Sequence, residues 1–283
     1  MPHDPYKALY LHLPFCVKRC AYCDFATAAV PAGAPEIEAY VEDLSLQIRR
    51  KAKEGELGAV ETVYLGGGTP SHVGLAGLSM LLYTLSLSMH LTDEVECTME
   101  ANPESLTERM VRDIWALGVN RLSIGVQSFD DDVEAAHMQI AARVLDSEGF
   151  ERYEVASYAR PGFACRHNIA YWTGVPYLGL GRSAATMTQN AQRRMRVKDG
   201  QVTDDLDPRQ MAAENLMLGM RMTAGVSDEH AARAAELLPE ATTVLADLER
   251  QGLVEHEGGR WRPTERGWLC GNELYGALFD LAD

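Results

Sequence analysis

Four short apolar, β-prone runs punctuate the first part of the chain: KALYLHL (7–13), TVYLGG (62–67), VECTMEA (95–101) and RLSIGVQS (121–128). Between them lie longer amphipathic segments such as PEIEAYVEDLSLQIRRKA and LTERMVRDIWALG, the second closed by Gly118 as a helix C-terminal cap. Strands separated by helices stack as βα units into a parallel sheet covered by helices. Such a sheet gathers its ligand-handling loops at the C-terminal ends of its strands. That is where this chain carries its polar and glycine-rich motifs.

After the first run comes FCVKRCAYCDF, with Cys16, Cys20 and Cys23 close together in a chain of 6 cysteines. A structural zinc site wants four ligands, usually as two separated pairs, and no second pair follows; His12 sits before the loop, on the strand itself. Three thiolates can instead hold a [4Fe–4S] cluster with one iron left for a small chelating molecule. The second run continues into YLGGGTPS (64–71), whose glycines let backbone groups approach a ligand, although a plain tight turn uses the same residues. Glu100 ends the third run in MEANPES (99–105) as an acceptor-only carboxylate, the alternatives being a helix N-terminal acid or an ion-pair partner. Gln127 ends the fourth in SIGVQSF.

With 41 acidic against 26 basic residues and a formal net charge of -15, the chain repels phosphate backbones and anionic lipids, so no nucleic-acid partner is expected. The first residues lack a basic segment followed by an apolar run, and no stretch approaches the roughly 20 apolar residues of a spanning helix. A cytoplasmic location follows as the expectation. In that reducing setting clustered cysteines bind metal rather than pair as disulfides.

Further along, an amphipathic helix is predicted over 130–149, with Val133, Ala136, Ile140 and Val144 on one stripe. ERYEVASYA (151–159) reads as a strand, RHNIAYW and PYLGLGRS follow, and QNAQRRMRVKDGQVTDDLDPRQ reads as a polar connection. Residues 209–283 read as three or four helices with one hairpin turning at Gly258 and Gly259, a winged-helix-like arrangement. Its helix DEHAARAAELLPE is not basic, so a covering or substrate-handling role is expected rather than DNA binding. The expected domains are 1–190 and 191–283.

CxxxCxxC after a first strand, with an aromatic before the last cysteine, resembles the radical S-adenosylmethionine (SAM) pattern. YLHLPFCVKRCAYCDF, VYLGGGTPS, EANPESL, GVNRLSIGVQSF and then YEVASYARPG, RHNIAYW and YLGLG resemble the oxygen-independent coproporphyrinogen III oxidase family, in its heme-chaperone (HemW-type) branch. The resemblance implies a partial (β/α) barrel, a [4Fe–4S] cluster on Cys16, Cys20 and Cys23, and SAM cleavage to a deoxyadenosyl radical in catalytic members. It places Tyr10, Tyr22, Gly67, Gly68, Thr69, Glu100 and Gln127 around SAM. Oxidases of the family carry another cysteine where this chain has Phe25, whereas the chaperones share HNxxYW, here His167, Asn168, Tyr171 and Trp172, associated with heme. Heme as cargo, heme-accepting proteins and an electron donor are the implied partners. Read from the residues alone, the same aromatic run can pack a domain junction, and Cys165 can be inert core.

At about 30 residues per βα unit, a six-unit partial barrel needs roughly 190 residues, yet the fourth-strand motif runs straight into a helix that lies much later in the family. About two to three units are therefore expected to be absent from the middle, together with a GRxH-type element and a later strand that extend the SAM site. The open sheet edge would be taken by YEVASYA or by a partner chain, a homodimer being one such arrangement. Besides the chaperone reading, the sequence leaves an oxidase of coproporphyrinogen III and a non-catalytic remnant as alternatives.

Overall fold

A computed structural model describes residues 5–18, 26–89, 94–101, 107–124, 145–155 and 157–282. Strand β1 (Ala8–Leu13) leads into β2 (Phe15–Cys16), and across the cysteine loop β3 (Ala28–Ala29) pairs in parallel with β2. Helix α1 (Pro35–Lys53), β4 (Thr62–Gly67), α2 (Gly74–Ser88), β5 (Glu96–Ala101), α3 (Glu108–Ala116) and β6 (Arg121–Ile124) then alternate. β1, β4, β5 and β6 pair in parallel, in that order, as the four runs predict. Gly118 follows α3 at φ 106°, a left-handed position that suits glycine.

Strand alternation divides this sheet into two faces. Leu9, Leu11 and Leu13 of β1, Val63 and Leu65 of β4, and Cys97 and Met99 of β5 are buried in one core with Ile37, Val41, Leu44 and Ile48 of α1 and Leu78, Leu81, Leu82 and Leu85 of α2. Each such side chain contributes about 1.5–3 kcal/mol on burial. The other parity carries Tyr10 and His12, Tyr64 and Gly66, and Thr98 and Glu100, and register sets Tyr10 beside Tyr64 and Tyr64 beside Thr98. Core and chemistry thus occupy opposite faces.

Past residue 145 the structure departs from the sequence expectations. ERYEVASYA is not one strand: β7 (Glu151–Glu154) and β8 (Ser157–Ala159) fold back as a separate antiparallel pair with an irregular register. Val155 N–H donates to Arg221 O and Thr223 N–H to Tyr153 O, so the turn is held from outside the pair. This pair is not part of the main sheet, and β6 is its last strand among the described residues. Most of the 130–149 helix lies outside the described residues.

Helix α4 (Arg166–Trp172) precedes β9 (Tyr177–Leu180), which lies parallel to β1 on the side away from β4. The sheet continues beyond β9 with β10 (Ala185–Asn190), and the expected polar connection (189–210) instead forms the end of β10, then β11 (Arg193–Lys198) and β12 (Gln201–Leu206). Asp199 and Gly200, at φ 49° and 77°, make the tight turn between β11 and β12.

Helix α5 (Pro208–Gly219) starts with Pro208 and a reciprocal cap: Asp207 accepts from Gln210 N–H at 3.0 Å, and the Gln210 side chain accepts from Asp207 N–H at 3.0 Å. Then come β13 (Val226–Ser227), α6 (Asp228–Ala235), α7 (Ala241–Arg250), β14 (Val254–Glu257), β15 (Arg260–Pro263), α8 (Glu265–Leu269) and α9 (Gly271–Phe279). β14 and β15, turned at Gly258 and Gly259 (φ 60° and 74°), follow the two helices as a wing, and β13, ahead of the helices, completes the sheet β13-β15-β14. The helix expected over the last residues breaks in two at Cys270.

Two compact units result: Met1–Gln127, Val175–Gln189 and Met195–Asp204 form the first, and Ser128–Gly174, Asn190–Arg194 and Asp205–Asp283 the second. Leu216, Met220, Leu245, Leu248, Leu274 and Leu278 lie in the core of the second. Among the described residues no helix is long and apolar enough to cross a membrane.

Candidate functional site

The polar face of the first unit ends in a cradle beside Cys16. Ala28 N–H donates to Pro14 O at 2.7 Å and Val30 N–H to Cys16 O at 3.1 Å, so the cysteine loop is pinched at its neck. The glycine turn runs alongside: Gly68 N–H donates to Leu13 O at 2.9 Å and Thr69 N–H to Phe15 O at 2.8 Å. A side chain at Gly68 would meet Phe15 O at 2.6 Å and Cys16 Sγ at 3.0 Å. At Gly67, φ 117°, a Cβ would lie 2.6 Å from the His12 ring. Close backbone approach thus requires both glycines. The Thr69 hydroxyl lies 3.8 Å from Cys16 Sγ as a donor to sulfur.

Glu100 closes the cradle from β5. Its Oε2 accepts from Gly67 N–H at 3.0 Å and its Oε1 from the Tyr64 hydroxyl at 2.9 Å. Burial pushes this carboxyl above the usual carboxylate range, and the bonds from Tyr64 and Gly67 pull the other way. Tyr10 stacks on Tyr64 with ring centroids 6.1 Å apart, and its phenol is held up by burial, then by Glu100 and Tyr40. His12 Nε2 lies 3.1 Å from Ala26 O, a pure acceptor, so that nitrogen carries the proton and Nδ1 accepts from the Tyr10 hydroxyl at 3.0 Å. Burial holds His12 below its ordinary value against the Ala26 bond, and both ring nitrogens are engaged. His12 is a brace for the cradle, not a metal ligand.

Cys16, Tyr10, Gly67, Gly68, Thr69 and Glu100 are therefore brought to one mouth. Cys20, Tyr22, Cys23, Phe25 and Gln127 lie outside the described residues. The described residues fit a sulfur-ligated cluster with a small ligand beside it: a thiol at the lip, a hydroxyl donating to it, a cradle that a Cβ would fill, and a half-buried carboxylate. Tyr64 and the bracing role of His12 were missed in the sequence. The period-two parity they share with Tyr10, Gly66 and Glu100 was the available signal.

The HNxxYW residues lie in the second unit, on α4. His167 is fully buried, its ring meets Tyr171 edge-on at 4.8 Å, and burial lowers it to about 3, so the imidazole is neutral. Asn168 Nδ2 donates to the Tyr153 hydroxyl at 3.4 Å. The Arg221 guanidinium lies over Trp172 at 5.1 Å and over Tyr275 at 4.6 Å. Asn168, Tyr171 and Trp172 are half-buried, and Cys165 is buried.

The family model of the Radical SAM superfamily matches residues 10–156, and that of the HemN C-terminal domain matches 206–270. The chain belongs to the radical SAM superfamily. It is 24% identical over 383 residues to the heme chaperone HemW of Bacillus subtilis, covering 96% of this chain and 99% of that protein. It is 26% identical over 380 residues to the HemW of Mycobacterium tuberculosis, covering 98% and 96%. An alignment of 383 positions on a chain of 283 residues leaves many positions of the relative without a counterpart here. Among solved structures, the coproporphyrinogen III oxidase (HemN) of Escherichia coli matches with a TM-score of 0.71 and 16% identity, covering 100% of this chain and 91% of that one, which shows a shared fold.

Proposed function

We propose that this chain is a heme chaperone, binding heme through its second unit and passing it to acceptor proteins. The observation that carries the reading is the match of nearly the whole chain to relatives named heme chaperones. Phe25 supports it, standing where oxidases of the family resemblance have a further cysteine. Cys16, Cys20 and Cys23 would hold a [4Fe–4S] cluster, and Tyr10, Tyr22, Gly67, Gly68, Thr69, Glu100 and Gln127 would line SAM. When bound, the cluster supplies a one-electron centre and an iron position open to a chelating ligand. Glu100 offers its carboxylate to a ligand amino group, Gly67 and Gly68 keep side chains out of the mouth, and Thr69 stabilises charge on Cys16 by its hydrogen bond.

For heme, His167, Asn168, Tyr171 and Trp172 are the proposed contacts. A neutral imidazole ligates iron without first losing a proton, but His167 is fully buried, so ligation requires α4 to open. An electron donor, a homodimer and a division near residue 190 belong to the same proposal. Heme titration followed by absorption tests it: a saturable complex is expected in the wild type, with an altered spectrum in His167→Ala. Failure of the wild type to bind heme overturns the chaperone reading. Unchanged binding and spectrum in His167→Ala remove that residue as ligand. Coproporphyrinogen incubated anaerobically with the reconstituted protein, SAM and reductant should yield no protoporphyrinogen; its formation would favour the oxidase.

A further inference from the structure

The second unit holds a cavity of about 480 Å³, within the range of small-molecule sites. Its apolar lining includes the Trp172 indole, Met222 and Ala234, and its polar lining includes Asn215, His230, Arg233 and Arg260. None of the described residues lining it is acidic, in a chain with 41 Asp and Glu against 26 Lys and Arg. The described lining is therefore basic where the molecule as a whole is acidic.

Its donors are held in place. Arg260 Nε donates to Ala224 O at 2.6 Å and Nη2 to Gly225 O at 3.1 Å, which fixes a guanidinium that still has further N–H groups to give. Arg194 has only donors, so Asn215 must turn Oδ1 toward its Nη2, 2.8 Å away, leaving the Asn215 amide N–H groups for a ligand. The Arg194 charge is itself met by buried Glu214. Arg233 pairs with Glu229 at 3.5 Å, but those side chains are 66% and 80% exposed, so the pair is weak and replaceable. Burial, then Arg233 and Arg260, hold His230 below its ordinary value, so it adds a neutral ring.

We infer that this cavity receives the carboxylate side chains of a tetrapyrrole, anchored by Arg233, Arg260 and Asn215 with its apolar body against Trp172. Fixed guanidinium and amide donors beside an indole match a flat apolar ligand with carboxylates at its edge better than a phosphate or a neutral ligand. The inference rests on the heme-binding reading and adds the place where the cargo is oriented.

The test compares heme with its dimethyl ester, which keeps ring and iron but removes both negative charges, on wild type and Arg233→Gln. Arg233 is exposed and glutamine is a good helix former, so the variant folds. The wild type is expected to bind the ester about tenfold or more weakly than the free acid, the size of a lost charge-assisted contact. Arg233→Gln should lose affinity for the acid by a similar factor and little for the ester. Metal-free protoporphyrin IX should show the same loss, because the anchor does not depend on iron. Equal binding of acid and ester by the wild type, or equal weakening of both by Arg233→Gln, overturns the inference while leaving the heme reading intact. Absence of heme binding in the wild type overturns both.

Discussion

At the residue scale three residues have environments that set their behaviour: Gly67 and Glu100 in the cradle, and His167 in the second unit. Gly67 is needed both for φ 117° and for the 2.6 Å approach of the His12 ring, so Gly67→Ala should lower stability by about 1–3 kcal/mol in denaturant unfolding and displace the cradle. A midpoint equal to wild type would contradict that. Glu100 has a folded pKa above the unfolded value, so its contribution to stability is fully present below the usual carboxylate range and is lost as pH rises through the folded pKa. Glu100→Gln should remove this falling limb from a plot of unfolding free energy against pH. His167 has the opposite sign. Its folded pKa, about 3, is below the ordinary imidazole value, so its contribution is present above roughly pH 6.5 and is lost as pH falls toward 3. His167→Phe should blunt that acid loss, and an unchanged acid limb would show that other groups set it.

At the element scale, legibility followed periodicity. The runs that became β1, β4 and β5 were readable because continuous apolar stretches ended in motifs. β11 and β12 were read as a connection because Arg, Lys, Gln and Asp run through them, yet Asp199-Gly200 was a hairpin signal within KDGQ. Helix α2 was not singled out, since GLAGLSMLLYTLSLS is apolar nearly all round and only part of it is buried. The hairpin of β7 and β8 was unreadable because Tyr153 O and Val155 N–H bond to Thr223 N–H and Arg221 O, partners from elsewhere in the sequence. Of the site, single-letter motifs were legible, while Tyr64 and His12 needed strand register to be recognised. Strand β11 is tied to α5 by Arg194 and Glu214, whose side chains are 2% and 8% exposed. Arg194→Met alone should cost about 3–5 kcal/mol by stranding a buried carboxylate, and adding Glu214→Leu should recover most of it. Equal loss in single and double variants would show packing, not charge, to be decisive.

At the scale of the whole molecule, a formal charge of -15 acts on every folded state. Self-repulsion destabilises a compact chain, and raising salt from 0.01 to 0.1 M shortens the screening length from about 30 to about 10 Å. Unfolding temperature should therefore rise over that interval; a fall would mean that specific ion pairs outweigh the net field. The Bacillus subtilis relative has many positions with no counterpart here, so on the proposed reading the cradle at β1, β4 and β5 would hold a cluster and SAM without them. Whether it does so is decided by anaerobic reconstitution with iron and sulfide, then electron paramagnetic resonance of the reduced protein with and without SAM. The expected result is a four-iron signal that changes on adding SAM and is absent from Cys16→Ala. A wild type that forms no such cluster, or a signal indifferent to SAM, would contradict an open iron beside Gly67, Thr69 and Glu100.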